Sequence, residues 1–328
     1  MNVLKEIEKQ ISEIKRIDST NYLDSILTHI SRAEYYYFEG AKDENYYNDV
    51  VYRSNQAYEG ALKEAFKILA NKTDEDVLRE TPNNIEIYLN SNNVFNDRVL
   101  HLFKIYRQEW RNKSTHNHKL FFSNNEAFIA LNTVTSFVYL LLNQIQEKLS
   151  FNIYERKIKK EAILIHGLKT TNNLNQLSPS EKIIEAIKGF IRLNSEYLSS
   201  LKENYKQVEV EGMFHAFISS IFGEMKVVRY PEFELDGYKL IPDFKIRIEN
   251  VDFIVELKLI RDIKRTIGYS SSFMHAINQT FKFLEISKIE RGIVYVVNFD
   301  KPDPELSIQE MNRVIENKEY EVITICNK

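Results

Sequence analysis

The chain has 328 residues, of which 43% are hydrophobic and 28% are charged, and its formal net charge is −3. This balance excludes an intrinsically disordered chain, and the length favours two domains of roughly 100–200 residues each. The acidic total argues against a basic coat for nucleic acid, although a single groove can still carry positive potential.

The first part of the chain predicts a bundle of long helices. Through residue 166 the only glycines and prolines are Gly40, Gly60 and Pro82. Apolar residues recur at helical spacing in segments 7–17, 22–38, 46–69, 95–110 and 131–149. We therefore expect an all-α domain over residues 1–151.

Nothing in the sequence indicates export or a membrane span. The richest apolar run, Phe137–Leu142, ends at Asn143 and Gln144, well short of the ~20 residues that cross a bilayer. Residues Met1–Asp18 carry charges throughout and lack the apolar centre of a secretory signal. We expect a cytoplasmic protein without membrane contact.

The pattern changes twice after the bundle. Residues 152–206 are helical but more polar, with a helix expected from Pro179 behind a Ser178 cap, and we interpret them as a connector. Residues 207–328 mix both periodicities. Helices are expected at 212–222 and 273–286, and strands at 226–235, 238–248, 251–260, 292–298 and 320–325. The fold class is therefore α+β, with an α/β C-terminal domain around a central mixed sheet.

The single cysteine, Cys326, limits the metal chemistry that is open to this chain. One thiol cannot form an internal disulfide or a multi-thiolate zinc site. Any metal must then be held by oxygen or imidazole ligands, which favours a hard cation.

In the run Val251–Ile260, side chains alternate between the two faces expected of a strand. Glu256 and Lys258 share one face, whereas Val255 and Leu257 share the other. The strand therefore presents a carboxylate and an ammonium group side by side.

A second acidic residue, Asp243, belongs to the preceding strand-like run. If Glu249 and Asn250 form a two-residue turn, Asp243 lies directly opposite Glu256; a four-residue loop keeps this pairing and a three-residue loop breaks it. Opposed residues have Cβ atoms about 5 Å apart, so two carboxylates repel each other unless a cation lies between them. The sequence thus predicts a divalent metal site.

An ordinary amphipathic strand is the alternative interpretation. Glu-x-Lys tripeptides are common by chance, and Asp243 would then be a turn carboxylate after Pro242. Here, however, the tripeptide lies in the apolar run Phe-Ile-Val-Glu-Leu-Lys-Leu-Ile. A buried charge without a partner or metal is costly there, so the context favours the metal site.

Pro242-Asp243, a short hairpin and then Glu256-Leu257-Lys258 resemble the PD-(D/E)XK nuclease superfamily. The resemblance covers about residues 208–328. It implies a restriction-endonuclease-like fold and hydrolysis of phosphodiester bonds.

Two further residues are implied by this resemblance. Members commonly place an acidic residue on the helix before the sheet, and Glu211 suits this role better than Glu209 because it shares the helix face of Phe214. Members also often carry a glutamine on the helix after the Glu-x-Lys strand, which indicates Gln279, with His275 on the same face. As alternatives, Glu211 is only a carboxylate favoured near a helix N-terminus, and Gln279 only faces solvent.

The implied chemistry depends on Mg²⁺ or Mn²⁺. Asp243, Glu256 and the backbone carbonyl of Leu257 would hold the ion, with Glu211 as a further ligand. The ion would polarise the phosphate and activate a bound water. Lys258 would orient that water or stabilise the developing negative charge.

A second motif lies in the helical domain, where Arg111-Asn112 is followed by His116 and His118. Its position before the last long helix resembles the HEPN superfamily, over about residues 1–150. In catalytic HEPN ribonucleases the histidine acts on the RNA 2′-hydroxyl and the arginine steadies the phosphate without a metal, commonly across a dimer. The alternative is that these three side chains only stabilise a loop or a dimer interface.

Together the resemblances imply a Mg²⁺-dependent endonuclease acting on DNA, dimerised through a HEPN-like domain and serving in prokaryotic antiviral defence. Basic residues after the Glu-x-Lys strand would bind the DNA backbone or be ordinary surface cations: Arg261, Lys264 and Arg265. One alternative is a metal-independent HEPN ribonuclease acting on RNA, whose C-terminal domain binds nucleic acid. Another is a noncatalytic binding or immunity subunit.

Overall fold

The computed structural model describes residues 3–17, 22–112, 121–160, 176–200, 207–235, 237–260, 271–298 and 306–327. The chain divides into two compact units, Met1–Ser150 and Phe151–Lys328. The first unit is helical, and the second combines helices with a mixed six-stranded sheet. The expected α+β class is confirmed at this level.

The helical unit packs a series of helices around one core. They are α1 (Val3–Ile17), α2 (Leu23–Glu39), α3 (Tyr46–Ile68), α4 (Asp74–Arg79), α5 (Pro82–Ser91), α6 (Asp97–Tyr106), a π-helical turn (Arg107–Arg111) and the part of α7 (Asn124–Lys160) up to Ser150. The sequence patterns did not predict α4 and α5, because these short helices start at the threonine caps Thr73 and Thr81 and carry no long apolar stripe. Buried aromatic rings, including Tyr58, Phe103 and Phe137, pack together in the core.

Helix α7 extends beyond the segment 131–149 in which the apolar spacing predicted a helix. By length and composition, residues 124–159 form the one candidate membrane span found among the described residues. The helix continues past Asn143 and Gln144, and the Gln144 side-chain amide has backbone partners in Val94 and Asn96. Its buried side chains up to Leu149 line the core of the helical unit.

The second unit contains the end of α7 from Phe151, two further helices before its sheet and one helix between two strands of the sheet. The elements are α8 (Pro179–Ser200), α9 (Gln207–Phe222), β1 (Val227–Arg229), β2 (Phe233–Leu235), β3 (Tyr238–Leu240), β4 (Phe244–Ile248), β5 (Val251–Ile260), α10 (Ser271–Ser287), β6 (Arg291–Asn298), β7 (Leu306–Ile315) and β8 (Lys318–Asn327). The main sheet has the order β1-β4-β5-β6-β8-β7, and β2 pairs with β3 separately. The β5–β6 and β6–β8 pairs are parallel, while the other pairs are antiparallel.

Helices cover both faces of the main sheet. Helices α8 and α9 share a core with the face of β5 that carries Val255 and Leu257, whereas α10 packs on the opposite face with Ile254. At Gly292 a Cβ atom would lie 2.6 Å from the Thr280 side chain, so glycine lets α10 approach β6 closely. Helix α8, which the sequence analysis placed in a connector, thus belongs to the core of this unit.

Two of the expected strand runs are interrupted. The run at 226–235 is divided between β1 and β2 because Tyr230 takes a positive φ of 52°, which turns the chain out of β1. The run at 238–248 is divided between β3 and β4 around Pro242. Strand β7 was not expected, because half of its residues are polar and its apolar residues do not alternate regularly.

Candidate active site

The β4–β5 hairpin has the register that the sequence predicted. Residues 249–250 form a two-residue turn, and Phe244 pairs with Val255. Extended by one residue past the end of β4, this register sets Asp243 opposite Glu256. The two carboxylates therefore lie at the same end of the hairpin and on the same face of the sheet.

Each of the two carboxylates accepts a hydrogen bond from the backbone of the other segment. The Asp243 amide donates to Glu256 Oε1 over 2.9 Å, and the Leu257 amide donates to Asp243 Oδ2 over 2.8 Å. Both side chains are thus held in position by the backbone. The Leu257 amide makes the observed contact, and a ligand role for its carbonyl stays a prediction.

Lys258 lies against both carboxylates. Its Nζ is 2.8 Å from Glu256 Oε2 and 3.8 Å from Asp243 Oδ2. The lysine side chain is 32% exposed, whereas that of Glu256 is only 3% exposed. The cluster therefore meets solvent on the lysine side, and a single cation already spans the two carboxylates.

The protonation of Glu256 follows from its surroundings. Burial raises the pKa of Glu256 to about 7, and the adjacent Asp243 carboxylate adds to this effect, while Lys258 opposes it. Burial lowers the pKa of Lys258, but Asp243 and Glu256 outweigh burial and leave that pKa raised. The site therefore holds an ammonium group beside a carboxyl that changes charge near neutral pH.

The oxygen donors of this site suit a hard divalent cation. Mg²⁺ is commonly bound through one or two carboxylates, with waters and phosphate oxygens as its remaining ligands. Asp243 and Glu256 provide that pair. Among the described residues, no group of three or more His, Cys, Asp or Glu side chains that could hold a metal ion is found. Two carboxylates would leave the other ligand positions of such an ion to water and to substrate oxygens.

Asp243, Glu256 and Lys258 form the most completely defined part of the site. No family model, curated protein or solved structure matches the chain. The chemical interpretation therefore rests on the geometry of these residues.

Arg229, at the end of β1, is a further member of the cluster that the sequence analysis missed. Its Nη1 donates to the Asp243 carbonyl over 2.8 Å, and its Nη2 donates to Glu211 and to the Tyr230 hydroxyl. The guanidinium lies 4.3 Å from the centre of the Phe244 ring. Arg229 thus joins helix α9 to the backbone at Asp243. A lone basic residue in the short run Val-Val-Arg-Tyr was the only signal in the sequence.

The two glutamates of α9 point in different directions, as the helical wheel predicted. Glu209 accepts a hydrogen bond from the Tyr197 hydroxyl of α8 over 2.6 Å. Glu211 faces Arg229 and also accepts from Gln207 over 2.8 Å. Glu211 is therefore connected to Asp243 through Arg229.

The structure does not bring the two α10 residues named in the sequence analysis, Gln279 and His275, into this cluster. Gln279 is half-buried, and it forms no hydrogen bond with Asp243, Glu256 or Lys258 in the described part of the chain. His275 is exposed on the same helix. Three basic residues expected to bind phosphate lie outside the described residues: Arg261, Lys264 and Arg265.

In the helical unit, Arg111 ends the π-helical turn that follows α6. Its Nε is 3.5 Å from Glu86 Oε1, and Arg107 Nε is 2.9 Å from Glu86 Oε2. Glu86 is fully buried, and burial raises the pKa of its carboxyl against the lowering effect of the two arginines. The turn thus directs both arginines to one buried carboxylate. His116 and His118 lie outside the described residues.

Proposed function

We propose that this chain is a Mg²⁺-dependent endonuclease that hydrolyses phosphodiester bonds of DNA, with a restriction-endonuclease-like C-terminal unit. One observation carries the proposal: Asp243 and Glu256 converge on the same ammonium group, at 3.8 and 2.8 Å from Lys258 Nζ. In a metal-dependent phosphodiesterase, two carboxylates would hold the metal and a lysine beside them would stabilise developing negative charge.

The residues of the site have distinct roles in this proposal. Asp243, Glu256 and the Leu257 carbonyl hold Mg²⁺, which when bound supplies Lewis-acid activation of phosphate and water. Lys258 donates to the attacking water or to a phosphate oxygen, where it stabilises developing negative charge. Glu211 acts through Arg229, which fixes the backbone at Asp243.

The remaining parts of the proposal concern assembly and setting. We place the protein in the cytoplasm as a homodimer that acts on foreign DNA in prokaryotic antiviral defence. The helical unit is HEPN-like in this proposal, and the support is the position of Arg111 on the turn that directly precedes the histidine motif. Gln279, Arg261, Lys264 and Arg265 remain candidates for substrate contact.

Cleavage of supercoiled plasmid by the full chain with Mg²⁺ tests the proposal. We expect Glu256→Ala and Lys258→Ala to remove activity. Asp252→Asn is a matched control, because Asp252 lies on the same face of β5 but pairs with Arg247 at the other end of the hairpin. Plasmid cleavage by Glu256→Ala and Lys258→Ala at the level of the wild type and of Asp252→Asn would reject the assignment.

A metal-independent ribonuclease is the second candidate. The observation that favours it is the pairing of Arg107 and Arg111 with buried Glu86, which fixes the arginine of the motif. RNA cleavage that survives chelator and is lost in His116→Ala would support this candidate. Chelator-sensitive DNA cleavage would oppose it.

A further inference from the structure

Strand β7 forms a long edge of the main sheet. Its ten residues, Leu306–Ile315, pair with β8, and no other described strand pairs with it. It contains neither glycine nor proline. At the opposite edge, β1 has only three residues and ends beside the positive φ of Tyr230. Short edges resist pairing with other chains, whereas a long regular edge offers a row of backbone donors and acceptors.

The two faces of β7 differ in their surroundings. On the face shared with α10, Met311 packs against the core, and Arg313 lies 4.3 Å from the centre of the Phe281 ring. On the other face, Ile308 is 39% exposed and Val314 is 72% exposed. The edge strand therefore presents two apolar side chains, six positions apart, on one face.

We propose that β7 pairs antiparallel with β7 of a second copy of this chain, with the two-fold axis at Met311. A two-fold axis normal to the sheet keeps each residue on its own face. Residues that pair across the axis are therefore separated by an even number of positions in the sequence. This register places Ile308 of one copy opposite Val314 of the other, twice. Both exposed apolar side chains are then covered by each other.

The charges of β7 select this register over its neighbours. An axis at Glu310 places two carboxylates opposite each other, and an axis at Arg313 does the same for two guanidinium groups, which destabilises a strand pair. An axis at Asn312 sets Val314 opposite Glu310. With the axis at Met311, by contrast, each charged residue faces an amide side chain: Glu310 faces Asn312 and Arg313 faces Gln309.

Sedimentation equilibrium of the full chain and of charge variants tests this pairing. We expect a concentration-dependent dimer in the wild type. Ile308→Lys and Val314→Glu should each raise the dimer dissociation constant at least about tenfold, because each affects both symmetry-related contacts. An equimolar mixture of the two variants should associate again, since the introduced lysine then lies opposite the introduced glutamate. That recovery also shows that both variants fold.

Met225→Lys changes a residue that is 99% exposed outside β7 and should leave the dissociation constant unchanged. A wild-type chain that stays monomeric at all concentrations would overturn the inference. A dimer that persists in both β7 variants would also overturn it and would place the interface elsewhere. Neither outcome bears on plasmid cleavage, so the proposed nuclease activity is tested separately.

A disulfide test fixes the register. Opposed residues of an antiparallel pair have Cα atoms about 4.5–5.5 Å apart, which is within disulfide range. Met311→Cys should therefore cross-link to itself under oxidation, whereas Asn312→Cys should not. Cross-linking of Asn312→Cys alone would reject the axis at Met311. The wild type, whose one cysteine is buried, is the background control.

Discussion

Asp243 and Glu256 hold each other at the end of the β4–β5 hairpin, because the Asp243 amide donates to Glu256 while Asp243 accepts from the amide next to Glu256. Each carboxylate therefore accepts a backbone hydrogen bond and also carries a negative charge beside Lys258. Truncation to alanine removes both. Isosteric amides separate the two roles, since an amide oxygen can still accept the backbone hydrogen bond.

Glu256→Gln should lower the affinity for Mn²⁺ by at least about 100-fold, more than is usual for loss of a residue outside the ligand shell. The amide keeps the shape of the side chain but loses the negative charge that a hard cation requires. Electron paramagnetic resonance titration of free Mn²⁺ measures this change. Asp252→Asn should bind Mn²⁺ like the wild type, and equal binding by Glu256→Gln would exclude Glu256 as a ligand.

Metal affinity should fall as pH decreases through 7. The pKa of Glu256 is raised to about 7 by burial and by Asp243, with Lys258 opposing, so protons compete with the metal below that value. Calorimetric Mn²⁺ titrations at pH 6 in two buffers of different ionisation enthalpy should show release of a proton. Binding without proton release at pH 6 would contradict the assignment.

The stability of the second unit should also depend on Glu256. Its pKa rises from 4.5 in the unfolded chain to about 7 in the fold, so the folded state binds more protons between these values. The free energy of unfolding should then decrease as pH rises through this window, by up to about 3 kcal/mol at ~1.4 kcal/mol per pKa unit. Hydrogen exchange of β5 amides, measured with chelator, reports this change. Glu256→Gln should abolish the decrease, and an unchanged pH profile in that variant would assign it to other groups.

Arg229→Lys should weaken Mn²⁺ binding by roughly tenfold without removing the ligands. A lysine cannot donate to Asp243 and Glu211 with the fork geometry of a guanidinium. Glu211→Gln should give a similar, moderate effect if Glu211 acts through Arg229. A loss in Glu211→Gln as large as that in Glu256→Gln would instead make Glu211 a direct ligand.

In the helical unit, Glu86→Ala should cost about 3 kcal/mol of stability, because it leaves two arginines beside a buried, empty position. Glu86→Gln should cost less, since the amide keeps the volume of the side chain and its oxygen can still accept a hydrogen bond from an arginine. The single tryptophan, Trp110, lies in this unit, and its fluorescence during urea unfolding reports the change. Glu75→Gln, which breaks an exposed pair with Arg79, should have little effect. Equal stability of Glu86→Ala and the wild type would remove the structural role of Glu86.

Local pattern was sufficient for the parts of the fold that depend on near neighbours in the sequence. The alternation of Val251–Ile260 and the tight turn before it determined which residues of the hairpin face each other, and both agree with the structure. The long helices followed from their apolar spacing. Elements without a strong apolar pattern, such as α4, α5 and β7, were missed for that same reason.

The sequence by itself predicted the Asp243–Glu256 register for a two-residue or four-residue turn, and the structure decided that the turn has two residues. Only the tertiary structure decided that Arg229 joins this cluster, since the β1–β4 pairing and the packing of α9 bring distant residues together. The same holds for Glu86, which meets Arg107 and Arg111 across separate helices. Burial, which sets the pKa of Glu256, is likewise a property of the whole packed unit and not of any local segment.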